Sequence, residues 1–95
     1  MKLRYTLRAA AELDKALAYI EVRSSLGANR VRARIQTVIN LLLRHPYVGQ
    51  LTSKGRLRRI VASPYPYVIF YRATKDEIVI HGVRHGARRS VSMAD

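Results

Sequence analysis

The chain is predicted to be an α+β domain in the order β-α-α-β-β-β, a helical hairpin packed on a small, mainly antiparallel sheet. Three observations predict it: two stretches of helical apolar period, three later stretches rich in β-branched and aromatic residues, and glycine and proline punctuation between them. At 95 residues one hydrophobic core is the rule, so residues 1–95 are read as a single domain.

Residues 2–5 alternate polar and apolar, with Leu3 and Tyr5 on one face, which predicts a short strand. Thr6 is placed to cap a helix over residues 7–26, whose apolar positions Ala9, Leu13, Ala16, Leu17 and Ile20 trace one stripe. Gly27 is suited to the left-handed conformation past a helix end. A second helix over 28–44 repeats the same spacings with Val31, Ile35, Val38, Ile39 and Leu42. It stops at Arg44-His45-Pro46, because proline disfavours helix at the residue before it. Pro46, Gly49, Thr52, Ser53 and Gly55 mark a loop. Strands are predicted at 57–62, 67–73 and 78–84, with Thr74-Lys75-Asp76-Glu77 turning between the last two and a basic tail over 85–95. Tyr67-Val68-Ile69-Phe70-Tyr71 is apolar on both faces, and two helices cover only one face of a sheet. An exposed apolar strip, to be buried by a second chain, is therefore expected on the other.

The formal net charge of +12 is unevenly spread. Residues 27–75 hold ten basic side chains (Arg30, Arg32, Arg34, Arg44, Lys54, Arg56, Arg58, Arg59, Arg72, Lys75) and no acid, whereas 6–26 and 76–95 each balance to zero. Such a field attracts nucleic acid, a nucleic-acid-bound enzyme or an acidic protein partner. The arginine bias fits phosphate or carboxylate, which the planar guanidinium binds two bonds at a time. Half of the residues are hydrophobic to within a few per cent (48%) and none is cysteine, so disulfides are excluded. Residues 1–5 lack the apolar core of a signal peptide, and no apolar run approaches the roughly 18 residues of a membrane span. A soluble, cytoplasmic protein without a membrane partner is expected.

No strong enzymatic motif is present. There is no Cys–His set or HExxH for a metal and no glycine loop for phosphate, so no metal and no cofactor is expected. His45 falls at a helix end and His81 inside a strand, both read as structural. His85 lies in Arg84-His85-Gly86-Ala87-Arg88-Arg89, where it serves either as a general acid or base beside phosphate-binding cations or as part of a docking surface.

Four stretches carry a resemblance when taken together and in order. They are Ala18-Tyr19-Ile20, then Leu41-Leu42-Leu43-Arg44-His45-Pro46-Tyr47-Val48-Gly49, then Tyr65-Pro66-Tyr67-Val68-Ile69-Phe70-Tyr71-Arg72, and the run from Ile78 to Arg88. Over residues 3–89 the chain resembles the RelE/ParE toxins of type II toxin–antitoxin systems, ParE-like rather than RelE-like. The resemblance implies a growth-arresting toxin that poisons DNA gyrase and is neutralised in a hetero-oligomer by an acidic, DNA-binding antitoxin whose tail wraps it. Target binding falls to Arg84, His85, Arg88 and Arg89, with no catalytic residue. Antitoxin binding falls to Tyr67, Val68, Phe70, Arg58, Arg59 and Arg72. The alternative is a ribosome-dependent endoribonuclease with His85, Arg59, Arg84 and Arg88 as its catalytic set. Ribonuclease members resemble one another in a basic residue where this chain has Val68, and many end in a catalytic aromatic, whereas nothing aromatic follows Tyr71 here. A plain nucleic-acid-binding module is a third possibility, without a recognition-helix signature or paired RNA-stacking aromatics to support it.

Overall fold

The computed structural model describes residues 1–86. Strand β1 (Lys2–Tyr5) leads into helices α1 (Leu7–Glu21) and α2 (Ser25–Arg44), followed by β2 (Gln50–Leu51), β3 (Arg58–Val61), β4 (Tyr67–Ala73) and β5 (Glu77–His85). The five strands form one sheet in the order β1-β5-β4-β3-β2. β1 lies parallel to β5, with Lys2 opposite Glu77 and Tyr5 opposite Ile80. A parallel pair needs a long crossover, and everything between the first and last strands supplies it. The remaining pairs are antiparallel.

Capping chemistry decides where the helices meet. Thr6 Oγ1 accepts a hydrogen bond from the Ala9 amide at 3.0 Å and starts α1. α1 ends at Glu21, earlier than the expected 26, because Ser24 takes an extended conformation and its Oγ accepts from the Gly27 amide at 2.9 Å. A serine N-cap of this kind outweighs the glycine signal. Gly27 therefore sits in the first turn of α2, and the one glycine at positive φ among the described residues is Gly55. The expected loop after α2 also contains a short strand, β2, pairing Gln50 with Arg59 and Leu51 with Arg58.

Both apolar helix stripes face the sheet. Val31, Ile35, Val38, Ile39 and Leu42 of α2 are buried with Ala9 and Leu17 of α1, while Leu13, Ala16 and Ile20 are partly buried against them. The sheet meets them with Tyr67, Ile69, Tyr71, Ile78, Ile80 and Val83. Each fully buried aliphatic side chain of this kind contributes about 1.5–3 kcal/mol. The reverse face differs from the open strip expected. Val68 and Phe70 are only 6% exposed and cluster with buried Leu57. Local residues close over them: the α-carbon of Gly86 sits against Val68, while Phe70 and the Arg84 side chain flank Gly82. Arg84 lies beside Phe70 with its charged end turned in toward Glu12.

Tyr71 ties the loop after α2 to the sheet. Its hydroxyl donates to the Pro46 carbonyl at 3.0 Å and accepts from the Gly49 amide at 2.8 Å. Burial raises its pKa, which keeps it a protonated donor. Gly49 has to be glycine, since a Cβ there would run into the Tyr71 ring and hydroxyl. From the sheet side Arg58 Nη1 donates to the carbonyls of Tyr47 at 3.0 Å and Gly49 at 2.8 Å, with its guanidinium 5.2 Å from the Tyr47 ring centre. Replacing Tyr71 by Phe leaves the buried Gly49 amide without an acceptor, so a loss of about 1–3 kcal/mol is expected. Urea denaturation measures the loss, and faster amide exchange at Gly49 localises it. Unchanged stability would show that the latch is dispensable.

Candidate functional site

α1 carries a second face opposite its apolar stripe, and this face meets the end of β5. β1 stops pairing at Tyr5–Ile80, and Thr6 donates its amide to Ile80. Beyond that point, among the described residues, the outer edge of β5 has no strand beside it. Glu12, one and a half turns into α1, fills the gap: its Oε1 accepts the Val83 amide at 3.0 Å. Its Oε2 lies 2.8 Å from Arg84 Nη2 and 3.4 Å from Arg8 Nε. One carboxylate thus closes a strand edge and neutralises the guanidinium next to it.

A backbone irregularity sets this geometry. Phe70 pairs with Gly82 but Tyr71 pairs with Ile80, which leaves His81 as an extra residue in β5. Bulges re-aim the side chains that follow them. Gly82 leaves open the space in which Glu12 Oε1 lies, 3.1 Å from where a Cβ would be. Arg84 turns back toward α1, its side chain only 11% exposed. Its Nε and Nη2 are shielded from solvent and make no aligned hydrogen bond, so the contact with Glu12 is one of charge. His85 meets Tyr67 edge-on, ring centres 5.2 Å apart.

Together these residues line a cleft of about 340 Å³, with Arg8, Glu12, Lys15, Ala16 and Tyr19 from α1, Tyr67 from β4, and Val83, Arg84 and His85 from β5. The predicted pair Arg84 and His85 is therefore brought into one site. Arg59 is not part of it: it faces Phe70 on β3, two strands away from the Gly82 position of β5. Arg88 and Arg89 lie outside the described residues. Of the residues assigned to antitoxin binding, Tyr67, Val68 and Phe70 are buried, Arg58 is committed to the loop, and Arg72 is exposed. His45 caps the C-terminus of α2. His81 is held below its ordinary pKa, first by burial and then by Arg72 and Arg4, so it is neutral at pH 7.

Arg8, Glu12, Lys15 and Tyr19 were missed by sequence reasoning. The signal was present, as Arg8, Glu12 and Lys15 recur at spacings of four and three on one helix face. In a segment of zero net charge it reads as solvated surface, and only the position of β5 makes it a site.

A helical hairpin on one face of a sheet ordered β1-β5-β4-β3-β2, with a basic cleft at the end of the last strand, defines an α+β toxin domain of the RelE/ParE type. Residues 3–90 match the family described as the ParE toxin of the type II toxin–antitoxin system parDE, and the chain belongs to that family. It is 39% identical over 75 residues to a putative toxin, Y4kP, of Sinorhizobium fredii, covering 79% of this chain and 78% of that one. It is 37% identical over 84 residues to Toxin RelE2 of Caulobacter vibrioides, covering 88% of this chain and 93% of that one. A solved structure, the chromosomal ParDE TA system from P. aeruginosa, has the same fold at 22% identity, with a TM-score of 0.76 over 90% of this chain and 95% of that one. As a type II toxin, the chain has an antitoxin partner and forms a hetero-oligomer with it. No helix among the described residues is long and apolar enough to cross a membrane.

Glu12 separates two contributions that mutation measures independently. Glu12→Gln keeps an acceptor for Val83 but removes the charge facing Arg84, whereas Glu12→Ala removes both. Glu12→Ala is expected to cost about 1–3 kcal/mol in chemical denaturation, and Glu12→Gln clearly less. Equal losses would mean that the strand-edge bond contributes nothing.

Proposed function

We propose that this toxin arrests growth by poisoning DNA gyrase in the cytoplasm, without catalysis of its own, and that it docks through the basic end of β5. Arg84 and His85 are the contacts within the described residues; Arg88 and Arg89, given the same role from the sequence, lie outside them. The observation that carries the reading is Val68. Cleavage of RNA at a toxin site needs cations around the scissile phosphate together with an acid–base pair. Where ribonuclease members resemble one another in a basic residue, this chain has an apolar one, closed into the cluster of Leu57, Val68 and Phe70. Arg59, another cation of the ribonuclease set, lies on β3 and is not among the residues that line the cleft holding His85.

One observation favours the ribosome-dependent endoribonuclease as second reading: Arg84 and His85 share a cleft with Arg8 and Lys15, an arrangement that suits an acid or base beside a phosphate. The test is growth arrest by wild type and His85→Ala at matched expression, with gyrase supercoiling and ribosome-bound RNA cleavage assayed in parallel. Inhibited supercoiling with intact RNA, most of it surviving His85→Ala, is expected, since one weak docking contact costs only about 1–2 kcal/mol. RNA cuts that fall roughly 10²–10⁴-fold in His85→Ala, the scale for a lost acid or base, with supercoiling untouched, would overturn the reading.

The antitoxin in this reading is acidic and DNA-binding, with a tail that lies along Arg58, Arg59 and Arg72. Val68 and Phe70 are buried on the face away from the helices and Tyr67 in the core on the opposite face, so the accessible part of the antitoxin-binding set is its arginines. Co-purification that persists at high salt is expected, since exposed Leu51, opposite Arg58, and Val61, on the same strand as Arg58, offer apolar surface whose burial salt does not screen. Dissociation by about 1 M salt would show that charge alone holds the two chains.

A further inference from the structure

The cleft between α1 and the end of β5 holds more cationic chemistry than its one carboxylate balances. Arg8, Lys15 and Arg84 line it together with His85, and among the described residues Glu12 is the only acid in its wall. Arg84 is the unusual member. A guanidinium carries five donors in a rigid fork, yet Nε and Nη2 here are shut away from water with no aligned acceptor. Buried donors are ordinarily satisfied, and each exception calls for a reason. Glu12 offers Arg84 charge at 2.8 Å, but its Oε1 is taken by the Val83 amide, so its carboxylate is not free to meet the fork with both oxygens.

We propose that this cleft binds a phosphate group, held by Arg84 from the strand and by Arg8 and Lys15 from the helix. Glu12 is the internal anion that the phosphate displaces from Arg84. The cations reach the cleft from two elements, which suits a tetrahedral anion with oxygens in several directions better than a planar carboxylate. A volume of about 340 Å³ also exceeds a bare carboxylate and admits the atoms that a phosphate ester carries. The ligand is thus either a free phosphate compound or the backbone phosphate of a nucleic acid. The inference goes beyond the choice between gyrase and ribosome, because phosphate capture is a property of the chain alone.

Titration of the purified ¹⁵N-labelled chain tests it, at matched ionic strength, with inorganic pyrophosphate, a short single-stranded DNA, a DNA duplex and a glutamate-rich peptide as probes. The chain binds polyanions elsewhere through its net charge of +12, so the readout is local: the Val83 amide and the Arg84 Nε–H resonances. Saturable shifts at both sites with pyrophosphate are expected. A further, tighter response to one of the DNA probes assigns the source as a nucleic-acid backbone; a response to pyrophosphate alone assigns it as a small phosphate compound. The exposed double variant Arg8→Ala/Lys15→Ala should weaken binding by roughly tenfold, the scale for losing charge-assisted hydrogen bonds. Glu12→Gln, which keeps the Val83 acceptor, should tighten it. No saturable shift with pyrophosphate, equal affinity in wild type and the double variant, weaker binding in Glu12→Gln, or shifts at these two sites with the peptide but not with phosphate would each overturn the proposal. Supercoiling and RNA cleavage are read separately, so failure here leaves the gyrase reading standing and failure there leaves this one.

Discussion

From Tyr67 to Tyr71 every side chain of the central strand is buried, so both faces of the sheet have to be covered. The chain has two helices, and their apolar stripes cover one face. Tyr67, Ile69 and Tyr71 go beneath α1 and α2 into the main core, while Val68 and Phe70 are left to be closed by Leu57, Arg84 and the turn at Gly86. Much else follows from that demand. The helices lie as a hairpin over one face, the loop after α2 is latched down by Tyr71, and the last strand brings an arginine beside the second face.

That arginine joins the closing of the sheet to the lining of the cleft. Arg84 shields the apolar side of the sheet and faces Glu12 at 2.8 Å, which in turn closes the strand edge that β1 leaves open at Val83. A charge in a largely dehydrated position is tolerated because its partner is fixed by a backbone bond and by Arg8. The His81 bulge and the bare α-carbon of Gly82 make room for the carboxylate. The basic cleft is therefore built in part from the same atoms that close the sheet, and Arg84, unlike the exposed Arg8 and Lys15, is held in place by packing.

The charge distribution acts at longer range. The acid-free stretch from 27 to 75 steers the chain toward polyanionic surfaces and raises encounter rates. It does not choose among them. Some of its arginines are spent within the fold: Arg58 is bonded to the carbonyls of Tyr47 and Gly49. Counting basic residues along the chain thus overstates what is offered to a partner and understates what holds the loop.

The fold class was legible in the residues because it rests on local periodicity. The stripes at Val31, Ile35, Val38, Ile39 and Leu42 and at Ala9, Leu13, Ala16, Leu17 and Ile20, and the strands from Leu57 onward, each declare themselves within a dozen residues. The family resemblance was likewise in the sequence, as were Arg84 and His85 as candidates, which the structure places in one cleft. What only the tertiary structure decided lies where distant segments meet. Glu12 and Val83 are 71 residues apart, and no local pattern marks a carboxylate that completes a sheet edge. Competition between signals decided the helix junction, where Ser24 capped α2 and displaced Gly27 from the role its residue type implied. The reverse face was misread for a related reason: alternation shows that Val68 and Phe70 point away from the helices, but what covers them depends on where the side chain of Arg84 and the turn at Gly86 come to lie, and periodicity carries no information about that.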